Sequence, residues 1–196
     1  MFGYGQGMMT QSALLLDQME DATQFINTMV THCYLPHLDG WAGPEGIILH
    51  KSGKYYVPVN GYMGQDSHVA DSHKALRLMI GIDDNNPEHL KLVPRFPIAW
   101  DTVSVGSVPV LTGEKRQNIA YTYSRNQEKQ VFEYTFDTLV NSFDVRLGPI
   151  PAGKSVKNVF LNGKAIPFEQ LNSGDSNWIC TVVLSGLQGK IELGFE

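Results

Sequence analysis

Positive charge is scarce in this chain. Fifteen Lys and Arg stand against twenty Asp and Glu in 196 residues, a formal charge of −5. No cationic field is available to attract phosphates, which argues against nucleic acid as a partner. Cysteine is nearly absent. Cys33 and Cys180 fall in different halves, too few for a disulfide framework, and are expected as buried thiols. No apolar run approaches a membrane span, and no basic leader precedes an apolar stretch. The catalytic signatures are missing too. There is no H-E-x-x-H, no Cys pair, no G-x-S-x-G and no phosphate loop among Gly3, Gly5 and Gly7. All six histidines precede residue 90, and the pairs His32/His37 and His68/His73 are five apart, the wrong step for one helix face. Neither a metal nor a cofactor is expected. Asp83-Asp84-Asn85-Asn86 lacks the EF-hand spacing and reads as a polar turn.

Hydrophobic residues make up 42% and charged residues 18% of the chain, which marks a folded chain with a buried core. The acid excess lies at one end. Residues 1–90 carry four Lys/Arg against ten Asp/Glu, whereas residues 91–196 carry eleven against ten. The hydrophobic period also changes. Over residues 8–31, Leu15, Met19, Ala22, Ile26 and Met29 recur at helical steps, widened by Leu16, Phe25 and Val30, with Asp17 on the opposite side. A second helix reads from Ser67 to Ile80, capped by Asp66 or Ser67 and stopped by Gly81, with Val69, His73, Leu76 and Met79 or Ile80 on one face. Residues 34–66 form a long Gly- and aromatic-rich connection, relieved by a hairpin of Ile47–His50 with Tyr55–Val59. Beyond Asp83 the period becomes two. Short strands are expected around residues 103–105, 119–123, 131–135, 143–147, 156–161, 179–184 and 191–195, with a type I′ hairpin at Asn162-Gly163. The fold class is α+β: a short helical segment, 1–90, followed by an antiparallel β-sandwich, 91–196. Two helices cannot cover so much apolar helical surface, so the helical segment is expected to belong to a larger array. The abrupt Met1-Phe2-Gly3-Tyr4 start is expected to lie inside a longer protein.

Three segments carry a resemblance: Tyr4-Gly5-Gln6-Gly7 through Asp17, then Gly43-Pro44-Glu45-Gly46, then Ala75 through Asp84. Leu92-Val93-Pro94-Arg95-Phe96-Pro97 and Trp100 follow. In this order they resemble the C-terminal end of an (α/α)6-barrel, six-hairpin glycoside hydrolase of the α-L-rhamnosidase kind. The resemblance implies that the helices end a catalytic barrel, that a β-sandwich closes the chain, and that at least one catalytic carboxylic acid lies elsewhere. It also implies an exported, periplasmic or extracellular parent whose partner is an oligosaccharide or polysaccharide.

Glycoside hydrolysis needs two carboxyl groups about the scissile bond, one held protonated. Glu45 is the candidate carboxylate, between Pro44 and Gly46 and near Trp41, whose indole could stack on a sugar face. Asp66 and His68, with Asp71 and His73, cluster at the start of the second helix and could bind hydroxyls. Tyr4 and Gln6 could line a cleft before the first. The isolated chain is expected to be inactive, a structural sandwich plus part of a cleft wall. The alternative is a carbohydrate-binding module using Trp100 or Trp178 with Tyr121 and Tyr123 as a stacking platform. Arg95, Arg125 and Arg146 read as surface or interface charges. Exposed helix faces would permit self-association.

Overall fold

The computed structural model describes residues 3–33, 48–49, 55–56, 66–86 and 88–196. The chain divides into two compact units, Met1–Met79 and Ile80–Glu196. No described helix is long and apolar enough to cross a membrane.

In the first unit the expected continuous helix over 8–31 is two helices, α1 (Gly3–Leu15) and α2 (Met19–Cys33). Asp17 makes the break, at φ 55°. Its N–H donates to the Leu14 carbonyl at 3.3 Å and the Gln18 N–H to the Ala13 carbonyl at 2.9 Å. This is the paired bonding that closes a helix through one left-handed residue, a place usually taken by glycine. The turn also re-aims the side chains. Leu14, Met19, Ala22 and Ile26 are buried, and so is Asp17, predicted on the polar side. Leu15 and Leu16, predicted in the buried stripe, are 61% and 66% exposed.

Strands β1 (Ile48–Leu49) and β2 (Tyr55–Tyr56) pair antiparallel within the predicted hairpin. Helix α3 (Asp66–Ile80) follows. Its buried residues are Ser72, Ala75 and Met79, while His73 and Leu76 are exposed, so the inward face is turned from the predicted one. Helix α1 passes close to α3 at Gly7. A Cβ there would lie 2.9 Å from the Cβ of Asp71. Gln11 Nε2 donates to the Asp71 carbonyl at 3.0 Å.

The second unit is a sandwich of long strands. Its strands are β3 (Ile82–Asp83), β4 (Lys91–Leu92), β5 (Thr102–Thr112), β6 (Lys115–Arg125), β7 (Lys129–Leu147), β8 (Val156–Leu161), β9 (Lys164–Ile166), β10 (Glu169–Ser173) and β11 (Ser176–Phe195). Segments expected as four short strands are two long ones, β7 and β11, each serving both layers. The first half of β7 pairs with β6 and with the end of β11, which also pairs with β8. The second half pairs with the start of β11 and, in parallel, with β4. The other described pairs are antiparallel.

Between the halves the register slips from Gly186↔Val140 to Gln188↔Thr135. The surplus residues of β7 bend the strand, and the inward set changes from Phe132, Tyr134 and Phe136 to Phe143, Val145 and Leu147. The sheet thereby folds over itself. Rings from the two halves meet edge to face: Tyr134 and Phe143 at 5.0 Å, Phe136 and Phe143 at 5.3 Å. Such contacts add about 0.5–1.5 kcal/mol each beyond area burial. Glycines make room for them. A Cβ on Gly189 would stand 2.7 Å from Tyr134 Cζ. The Asn162-Gly163 turn has φ 50° and 79°, the expected type I′ pattern, between β8 and β9.

Burial raises the phenols of Tyr121 and Tyr134 above the ordinary tyrosine value. Tyr121 also donates to the Ile80 carbonyl. A group raised by folding contributes fully below its unfolded pKa, about 10 for Tyr, and the contribution is lost as pH rises beyond it. Thermal stability should therefore fall above about pH 10. In an ultraviolet titration, part of the tyrosine absorbance should change only as the sandwich unfolds. Simple ionisation of every tyrosine while the fold persists would contradict this.

Candidate functional site

Among the residues singled out in the sequence, Tyr4 and Gln6 lie in the first turn of α1, and Asp66 and His68 in the first turn of α3. Helices α1 and α3 approach each other at Gly7 and Asp71. Trp41 and Glu45 lie outside the described residues. Lys74 pairs with Asp71 at 3.4 Å on the α3 surface.

The proposed stacking platform is corrected by burial. Trp178, Tyr121 and Tyr123 are interior, and no sugar can reach their faces. Tyr123 donates to the Gly148 carbonyl at 3.2 Å. Trp100 is only partly covered and stacks on Phe96 at 6.2 Å.

The polar turn after β3 behaves as a turn. Asp83 Oδ1 accepts from Asn85 Nδ2 at 2.8 Å, and Asp84 Oδ2 accepts the Leu111 N–H at 3.2 Å. Among the described residues no cluster of three His, Cys, Asp or Glu is placed to hold a metal.

The second unit has a groove of about 890 Å³ on the outer face of the layer formed by β3, β4 and the adjoining halves of β7 and β11. Val182 and Leu184 of β11 line it, 54% and 75% exposed, together with Pro167 and Phe168 of the β9–β10 connection. Charged groups surround this apolar lining. Asp83, Lys91 and Asp144 stand in one cross-strand row, in which each charge faces an opposite one. Arg95, Arg146 and Glu169 also line the groove. The Arg146 guanidinium lies 4.5 Å from the centroid of the buried Trp178 ring. This cation–π contact fixes the arginine beside the groove and leaves the indole beneath it. Cys180, predicted as a buried thiol, is half-buried in the same groove.

An apolar strip among carboxylates and guanidinium groups can take the C–H face of a polyol while hydrogen-bonding its hydroxyls. No protein-family model matches the chain, and no curated protein matches it. A solved structure does. Over 63% of its length the chain is similar to the α-L-rhamnosidase of Dictyoglumus thermophilum, with a TM-score of 0.45 and 12% identity. The chain spans 13% of that enzyme's length. The likeness is distant.

Sequence reasoning missed this groove, although a signal was present. Residues 179–184, Ile-Cys-Thr-Val-Val-Leu, are apolar on both faces of the strand. A strand of this kind is either covered on both sides or leaves an apolar strip outside. Here the even-numbered residues form the strip.

Proposed function

We propose that this chain is the closing part of a six-hairpin glycoside hydrolase, supplying the last helices of a catalytic barrel and a structural β-sandwich, and that it does not hydrolyse glycosides by itself. The supporting observation is the uncovered apolar surface of the helical unit. Met8, Met9, Leu15, Leu16 and Leu76 are all more than 40% exposed, while Leu14 and Ala22 beside them are fully buried. Covering one large apolar side chain is worth about 1.5–3 kcal/mol. Further helices packed on this face would recover that stabilisation, as in an α/α array. The order of Tyr4–Asp17, Gly43–Gly46 and Ala75–Asp84 along the chain fits the same reading. Glu45 is then a cleft carboxylate, with Tyr4, Gln6, Trp41, Asp66 and His68 about the sugar. The parent enzyme acts outside the cytoplasm on an oligosaccharide or polysaccharide.

The test is a panel of aryl glycosides, α-L-rhamnoside included. The 196-residue chain should turn over none of them. In a longer protein that carries the remaining hairpins, Glu45→Gln should lower kcat about 10²–10⁴-fold with the fold retained. Hydrolysis by the chain alone that Glu45→Gln abolishes would overturn the proposal, and unchanged kinetics in the longer protein would remove Glu45 from the site.

The outer groove favours a second reading, a non-catalytic carbohydrate-binding module. Trp178 lies beneath Arg146 and would report occupancy of the groove. A saturable fluorescence change on adding oligosaccharide, abolished by Leu184→Asp, would support it. A spectrum indifferent to sugar favours the structural role.

A further inference from the structure

Arg125 ends β6 and Gln130 lies directly opposite it on β7. Both belong to the inward set, in line with Tyr121 and Tyr123 on one strand and Phe132 and Tyr134 on the other. Predicted as a surface charge, Arg125 is 7% exposed, and Gln130 is 0% exposed. The guanidinium lies 5.1 Å from the centroid of the Tyr123 ring. Its Nη2 reaches the Gly148 carbonyl at 3.5 Å, a long contact. Among the described residues, Arg125 Nε and Nη1 find no hydrogen-bond partner, and neither do Gln130 Nε2 and Oε1. Burial pulls the guanidinium down to about 10, with the charge of exposed Asp101 pushing the other way. It therefore stays charged at neutral pH.

The exposed Asp101 carboxylate offsets the burial of this cation only in part, and each orphaned buried donor adds to the cost. Three of the four unpartnered atoms are nitrogens that donate, two of them on the guanidinium itself. A water molecule would answer the hydrogen bonds but not the charge. With Arg125 7% and Gln130 0% exposed, a side chain from another protein has no room to enter. Small size and negative charge are what the remaining imbalance favours.

We propose that Arg125 and Gln130 hold a small monovalent anion of the halide class inside the sandwich. The Arg125 Nε and Nη1 hydrogens and the Gln130 amide donate to it, and Tyr123 backs the guanidinium.

The test uses the whole chain. Crystals grown or soaked in sodium bromide should show an anomalous peak within hydrogen-bonding distance of Arg125 and Gln130. In solution, the melting temperature should rise and then saturate with chloride or bromide. It should not do so with sodium gluconate at matched ionic strength, whose anion is too large to enter. Gln130→Leu keeps the charge and removes one donor, so half-saturation should need about tenfold more chloride. Absence of the bromide peak overturns the proposal, as does equal melting in chloride and gluconate. Both readouts hold on the unaltered protein, so neither depends on a variant that folds.

Discussion

Replacing Phe143 by alanine should destabilise the sandwich by about 3–5 kcal/mol, the range for truncating a buried phenylalanine. Phe143 lies at the start of the second half of β7, 2% exposed. It meets Tyr134 at an interplanar angle of 82° and Phe136 at 66°. Those rings come from the first half of the same strand, so Phe143 is where the folded-over sheet touches itself. Truncation leaves a void whose other walls are aromatic and held by further rings. Tyr134 packs on Phe132 at 6.2 Å and Phe132 on Tyr121 at 4.9 Å. Collapse into the void is therefore poor, and the loss should sit in the upper part of that range. Phe143→Leu fills most of the space and should cost under about 1.5 kcal/mol if the rings repack around it. Leu139 at the bend is 62% exposed; its alanine variant should lie within about 0.5 kcal/mol of the parent. Urea unfolding followed through the sandwich decides the matter: a lowered midpoint at constant slope is expected. A loss below about 1 kcal/mol would show that the layers do not rely on this contact.

Gly81→Ala should be nearly as damaging, for a different reason. Gly81 has φ 72° and follows α3. A side chain in that conformation costs about 1–2 kcal/mol by itself. Here the Cβ would also run into the Val93 carbonyl and lie 2.5 Å from Pro94 N. Those are backbone atoms that cannot swing away, and Val93 N–H donates to the Gly81 carbonyl at 2.6 Å. Crowding adds about 1–3 kcal/mol. Gly153 is the control. Its φ is 75°, and a Cβ added there would meet no described atom within 4 Å, so Gly153→Ala should show the conformational cost alone. Equal melting temperatures for the two variants would mean that the Val93 contact has no energetic weight.

Both positions show what the sequence could disclose. Gly81 was legible because a glycine after a helical period has one common use, and Asn162-Gly163 was legible for the same reason. The two-residue period gave the β region. The strand lengths were not legible, because a strand that bends without a Gly-Pro break looks like two strands with a polar gap. Asn141 and Ser142, which lie between the two expected strands, continue β7. The α1–α2 break was hidden because Asp17, neither Gly nor Pro, takes the left-handed place. Burial of Arg125 could not be inferred from composition, since arginine at a strand end is usually solvated. It was visible only as the inward phase of Ile119, Tyr121 and Tyr123 carried on by one step. Of the candidate residues, Asp66 and His68 open a helix as the sequence reads, but Tyr4 and Gln6, read as preceding the first helix, lie within it; the outer groove arises from strand phase and from the β9–β10 connection, which no local motif announces.

Strands β7 and β11 run through both layers side by side, paired from Ile179↔Leu147 to Gly194↔Lys129. Neither layer can be peeled off while the other keeps its hydrogen bonds, because the same two backbones serve both. The sandwich is therefore one cooperative foldon, and a defect placed in either layer lowers the barrier to opening for the whole of it.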